Sequence, residues 1–165
     1  MRWDLIERFE ILDLGRRFAR ASRSFDGTED FFLEHYPGHP VMPNTLLIEM
    51  IAQAGGVLYG LSLSFKKEVI LAKIQKAQFH QNVAPPCRFV VEARMSEPRE
   101  DAVWVEGSIK KDNKLVAQAE IFLVTMDSLD GGTSFNGRSA SKVFNDSFLK
   151  HYDVWNVAQS SERAS

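Results

Sequence analysis

One cysteine, Cys87, is all the sequence has. An intramolecular disulfide and a CxxC-type zinc site are thereby excluded. A lone thiol fits a reducing compartment, so the cytoplasm is the expected location. Neither sign of charge is in excess: 20 Lys and Arg against 22 Asp and Glu leave a net charge of -2. That balance points away from nucleic acid and from an anionic membrane surface as partners. The N-terminus, MRWDLIERFEILDL, carries acids from Asp4 onward and lacks the continuous apolar stretch of a secretory signal. The histidines at 35, 39, 80 and 151 show no metal-ligand spacing, and no segment repeats. Long hydrophobic runs are scarce too. Residues 42–65 approach the length of a membrane span, but Asn44, Thr45, Glu49, Gln53 and several glycines interrupt the run. A carboxylate inside a membrane is costly, so no membrane association is expected and a buried helix is the reading.

What is present is the composition of one ordinary domain: 165 residues, 44% hydrophobic and 25% charged. Residues 8–25 alternate imperfectly and read as two strands. Phe9 and Ile11 share one phase, Leu12 and Leu14 the other, a slip that marks a bulge or a strand end. After the Gly15 turn signal, Ala19, Ala21 and Phe25 share a parity that Arg23 interrupts. DGTED, 26–30, is a loop, followed by prolines at 37, 40 and 43.

Beyond Pro43 the apolar residues cover most of a helical circumference, the pattern of a buried helix, with Asn44 as its expected N-cap. Its polar exceptions, Thr45, Glu49 and Gln53, recur every fourth residue and so form one stripe. From 69 the helical period gives way to strand-like stretches: VILAKI, KAQFHQNV, CRFVVEARM, AVWVEGSIK and LVAQAEIFLVTM. An α+β domain over residues 1–126 follows, its antiparallel sheet wrapped around the long helix. Residues 127–165 read as a linker and tail, with a short helix expected over 143–157 and a frayed end at AQSSERAS.

A glutamate inside an apolar helix invites a chemical reading. Burial would favour its neutral form and suit it to acid–base work, and a histidine titrates near neutrality. Gln53, one turn on, is placed to orient Glu49. The unpaired amides at the helix start, near Asn44 and Thr45, are placed to polarise a carbonyl. By themselves these residues also admit a loop histidine and a water-facing glutamate.

The stretch HYPGHPVMPNTLLIEMIAQAGG, 35–56, resembles the signature of the 3-hydroxyacyl-acyl-carrier-protein dehydratases of fatty acid synthesis, the FabZ/FabA type. His35, Pro37, Gly38, Pro40, Val41, Met42, Pro43, Leu46, Glu49, Ala52, Gln53 and Gly56 carry the match, and the likeness extends more weakly over residues 8–126. The resemblance implies a hotdog fold and a homodimer or higher oligomer whose sites are shared, with histidine from one subunit and glutamate from the other. It implies that His35 and Glu49 are catalytic, converting (3R)-3-hydroxyacyl thioesters to trans-2-enoyl thioesters. A backbone amide at Gly38 or Asn44 would support the carbonyl. The implied substrate rides on the phosphopantetheine thioester of acyl carrier protein or of CoA, with no metal or other cofactor. An acyl thioesterase and a non-catalytic acyl-binding subunit are the alternatives. Three departures mark a divergent member: Asn44 where the family has glycine, Tyr36 where it has phenylalanine, and no L-P-H-R-x-P segment near the start.

The remaining candidates read as background. His39 is a loop residue, His80 a strand-end residue and Cys87 a buried or edge-strand thiol. Lys66, Lys67, Lys73, Lys76 and Arg88 are either a solvated face or a docking face for an acidic carrier. Phe31, Phe32 and Leu33 belong to the core or to a tunnel wall.

Overall fold

Alternation is clearest at Cys87–Met95 (β4) and Ala102–Lys111 (β5), where every second residue is buried through most of each strand. Around them stand Arg8–Asp13 (β1), Phe18–Phe25 (β2), Glu68–Phe79 (β3) and Lys114–Met126 (β6). All six join one antiparallel sheet in the order β1-β2-β4-β5-β6-β3. The structure is a computed structural model, and residues 5–126 and 146–164 are described.

Two sequence expectations shift in the sheet. The irregularity in β1 falls between Phe9 and Ile11, one step earlier than the change of phase had placed it. VILAKI and KAQFHQNV, read as separate stretches, form one strand, β3, because bulges at 71–73 and 74–76 reset the phase without breaking the ladder with β6.

Asn44–Ser62 (α2) packs on the inner face of the sheet, against β2, β3, β4, β5 and β6. It is long and apolar enough to cross a membrane, yet 67% of its apolar window is buried inside the protein. Two glycines allow the close approach. A Cβ on Gly107 of β5 would lie 2.2 Å from Ile51 Cγ2, and one on Gly55 of α2 would lie 2.7 Å from Val105 Cγ1. At the far end of the helix, the fully buried Tyr59 donates its hydroxyl to Arg99 O at 2.7 Å. The helix start corrects an expectation. Pro43 is the N-cap and Asn44 the first helical residue, because Pro43 already has the extended backbone of a cap (φ -61°, ψ 127°).

Residues 146–164 are also more ordered than their composition suggested, while the linker expected from 127 lies, up to 145, outside the described residues. Instead of one helix over 143–157 there are two, Asp146–His151 (α3) and Val154–Arg163 (α4), and most of the segment expected to fray is helical. α4 lies along the outer edge of β1. Ser161 Oγ accepts from Leu12 N–H at 3.1 Å and donates to Val157 O at 2.8 Å. Tyr152 donates to Ile6 O at 3.1 Å and meets Phe9 edge to face at 5.7 Å. Leu149, Val154 and Ala158 are buried beneath these contacts, which fix two short helices that could not persist alone.

Candidate active site

The motif loop begins at a short helix, Asp30–Glu34 (α1), absent from the sequence expectation. Phe32 of α1 is buried, and Phe31 packs beside it at 4.7 Å. Leu33, in contrast, is 60% exposed, which removes it from the core in the isolated chain. Both phenylalanines meet Phe25 of β2 edge to face, so the aromatic cluster anchors α1 to the sheet.

His35 caps the C-terminus of α1, its N–H donating to Phe31 O at 3.2 Å. Its ring rests against Tyr36 at 4.3 Å, and residues 33–40 all face solvent. Gly38 takes φ +78°, a conformation that side-chain-bearing residues adopt reluctantly. A Cβ there would meet nothing within 4 Å, so the backbone and not space requires the glycine. The loop is tied down again where Met42 N–H donates to Val83 O at 2.8 Å.

Glu49 emerges one turn into α2. The sequence reading had it buried; it is half-buried, on a stripe where Thr45 is exposed and Ile48, Ala52 and Gln53 are only partly covered. Its orientation is set as expected, by Gln53 Nε2 donating to Glu49 Oε1 at 3.0 Å. Gln53 Oε1 in turn accepts from Leu5 N–H at 3.3 Å, so the carboxylate is braced against the N-terminal segment. Leu46 and Leu47 donate to Pro43 O, while the N–H groups of Gly38, Asn44 and Thr45 have no acceptor among the described residues. Those three donors stand at the loop and helix start, where the helix dipole favours negative charge. No hydrogen bond or ion pair joins His35 to Glu49 among the described residues. One chain thus presents an exposed imidazole, a braced carboxyl and amide donors unbonded among the described residues, without closing them into one pocket.

The other sequence candidates are accounted for. Cys87 is buried, and burial pushes its thiol up to about 11, which makes it inert. His39 and His80 are exposed, in the motif loop and just past β3, and His151 ends α3. Among the basic residues, Lys67 pairs with Glu100, Arg88 with Glu10, and Lys73 lies 6.0 Å over the Trp104 ring. No group of His, Cys, Asp and Glu among the described residues is placed to hold a metal. A groove of about 310 Å³ does exist, but on the outer face of the sheet, lined by Lys76, Glu92, Arg94, Glu106 and Glu120. It contains none of the motif residues and lies across the sheet from α2.

With that geometry in place, likeness to known proteins becomes informative. The family model described as a FabA-like domain matches residues 3–120. The chain is 33% identical over 120 residues to the 3-hydroxyacyl-acyl-carrier-protein dehydratase FabZ of Xanthomonas euvesicatoria, covering 71% of this chain and 79% of that one. It is 32% identical over 128 residues to the FabZ of Chlamydia pneumoniae, covering 74% and 82%. Among solved structures, a thioesterase from Haemophilus influenzae matches with a TM-score of 0.54 at 17% identity, over 70% of this chain and 76% of that one. A Streptococcus mutans protein bound to acetyl CoA matches with a TM-score of 0.54 at 12% identity, over 73% and 90%. At such identities the structural matches speak to the fold alone, and the fold they share is the hotdog.

Proposed function

The chain belongs to the FabA-like family, and from that premise we propose that it dehydrates 3-hydroxyacyl thioesters through His35 and Glu49. The reaction belongs to fatty acid synthesis, as the FabZ relatives indicate. The observation that carries the assignment of residues is the brace on Glu49. A carboxyl on the partly open stripe of an otherwise buried helix is held in one orientation by Gln53.

His35 takes the proton from the carbon next to the thioester carbonyl. The electrons of that C–H bond form the double bond as the C–O bond at carbon 3 breaks. The hydroxyl leaves as water with a proton from Glu49. Charge building on the thioester oxygen meets the unbonded N–H groups of Gly38 and Asn44. The side chain of Asn44 is half-buried beside its own amide, so the donor remains where the family's glycine is replaced. No organic cofactor or metal enters this scheme; the substrate arrives on a phosphopantetheine thioester, with acyl carrier protein as the donor.

The site is completed by a second copy. Ile48 and Ala52 beside Glu49 are only partly covered, and β3 is the edge strand of the described sheet, 12 residues long, with Ile70, Ile74 and Phe79 exposed. Pairing of two β3 edges would cover that surface and bring one subunit's His35 loop toward the other's Glu49. A cytoplasmic location accords with the free thiol of Cys87.

His35→Ala and Glu49→Gln should each abolish the near-ultraviolet absorbance of the enoyl product while leaving folding intact. Mixing the two inactive variants under exchange should then restore about a quarter of wild-type turnover, since half the dimers are mixed and each has one intact site. No recovery on mixing would place both residues in the same subunit. Free thiol release in place of enoyl product would mean hydrolysis, the thioesterase alternative.

A further inference from the structure

Arg23 stands on the wrong face of its strand. Along β2 the inner-face positions are Ala19, Ala21, Arg23 and Phe25, and the other three are at most 3% exposed. Its cross-strand partner on β4 is Phe89, which is fully buried. The guanidinium carbon lies 5.2 Å from the centre of the Phe25 ring, and Phe25 packs against Phe31 and Phe32 of α1, the helix that ends at His35. A cation is therefore lodged in the aromatic cluster beneath the motif loop.

Arg94 of β4 likewise stacks on a ring, Phe18, at 4.6 Å, but on the outer face, and other strand cations find carboxylates. Arg20 and Lys110 both bind Glu92, and Arg88 binds Glu10, all on the outer face. The Arg23 side chain forms no ion pair or hydrogen bond among the described residues, and its Nε is buried with no partner. Asp26 lies near enough to feel the Arg23 charge, but the nearby carboxylates spend their hydrogen bonds elsewhere. Asp26 accepts from Thr28 N–H at 2.9 Å and its hydroxyl at 2.6 Å, and Glu29 accepts from Gly27 N–H at 3.0 Å. Leaving a guanidinium half-buried and unpaired is unfavourable, and the Phe25 ring offsets only part of that cost. An arginine so placed is suited to a planar, two-point grip on an oxyanion.

We propose that Arg23 is the seat of the substrate's anion: it binds the phosphate of the pantetheine arm while the thioester lies at His35. The proposal rests on the thioester reading above, because that arm carries one anionic group. It assigns to β2 a recognition role that the motif itself does not contain.

Equilibrium binding of 4′-phosphopantetheine and of pantetheine tests it without any turnover, so it stands or falls separately from the dehydratase assignment, which enoyl formation reads. Wild-type protein should bind the phosphorylated arm roughly 10- to 100-fold more tightly, the range of a charge-assisted hydrogen bond. Arg23→Gln should erase that ratio, and Arg23→Lys should keep part of it, since charge survives but the fork is lost. Equal binding of the two compounds by wild type, or an undiminished ratio in Arg23→Gln, would overturn the proposal. So would a weakened dimer with unchanged phosphate discrimination, which would make a carboxylate of the second copy the occupant.

Discussion

Gly107→Ala is the most direct probe of how α2 is held. The added Cβ would stand 2.2 Å from Ile51 Cγ2, 3.0 Å from Cγ1 and 3.1 Å from Cβ. Carbon–carbon contacts settle at about 3.5–4 Å, so helix and strand must part by about 1 Å. Rotation of Ile51 gives no escape, because its Cβ is already too close and a helical isoleucine holds essentially one rotamer. Overpacking costs about 1–3 kcal/mol, and alanine in place of glycine within a strand returns about 0.5–1 kcal/mol. With a contact this short the upper half of the first range applies, leaving a net loss of about 1–2 kcal/mol. For a domain of this size that lowers Tm by about 2–8 °C. Urea unfolding followed by circular dichroism should show the midpoint falling at constant slope. Glu49 lies two residues before Ile51 on the same helix, and displacement by about 1 Å can cost roughly 100-fold in rate. Turnover well below Tm should therefore fall further than the stability loss explains. Ile51→Ala removes both clashing γ carbons, so the double variant should be more stable than the sum of the single losses by about 1–2 kcal/mol. An alanine at 107 that leaves stability unchanged, or strict additivity in the double variant, would refute the close approach.

Gln53→Leu removes the donor to Glu49 and the acceptor of Leu5 N–H; kcat should drop roughly tenfold with little change in KM, and an unchanged kcat would dismiss the brace. Glu92 is pushed up by burial, but hydrogen bonds from Arg20 and Lys110 outweigh this and hold it below the usual value of 4.5. A depressed carboxyl contributes stability above its unfolded pKa that is lost as pH falls through the folded one. Glu92→Gln should thus cost about 1 kcal/mol at neutral pH and flatten the stability curve below about pH 4.5. Parallel curves for variant and wild type through that region would contradict the pairing. Cys87, with its thiol pushed up to about 11, should react with an alkylating reagent at pH 8 only after denaturation, and labelling of the native protein at the rate of a free thiol would contradict its burial.

Much of the candidate site was legible because its residues are contiguous: His35, Gly38, Glu49 and Gln53 lie within 19 residues, and helical spacing alone puts Gln53 over Glu49. The exposure of Glu49 was not legible, since an apolar helix gives no sign of which of its faces the sheet leaves uncovered. The start of α2 was misplaced by one residue because a proline, whose side chain cannot cap, occupies the capping position. α4 was mistaken for a frayed end because its polar composition is relieved only by contacts with β1, some 150 residues away in sequence. Arg23 was visible as a break in parity, but its meaning needed the unpaired Nε and the ring beneath it.

The docking of α4 on β1 sets the valence of the molecule. A sheet whose two borders are both available behaves as a bifunctional monomer, and bifunctional monomers polymerise. Here Ser161 occupies the outward Leu12 N–H, and one border is closed by covalently attached chain, while β3 at the other border has no neighbouring strand among the described residues. A monofunctional unit can be extended once and then has nothing left to offer. The edge pairing proposed above would then be chemically a termination step, with the helices that lie beyond the family match as the end group.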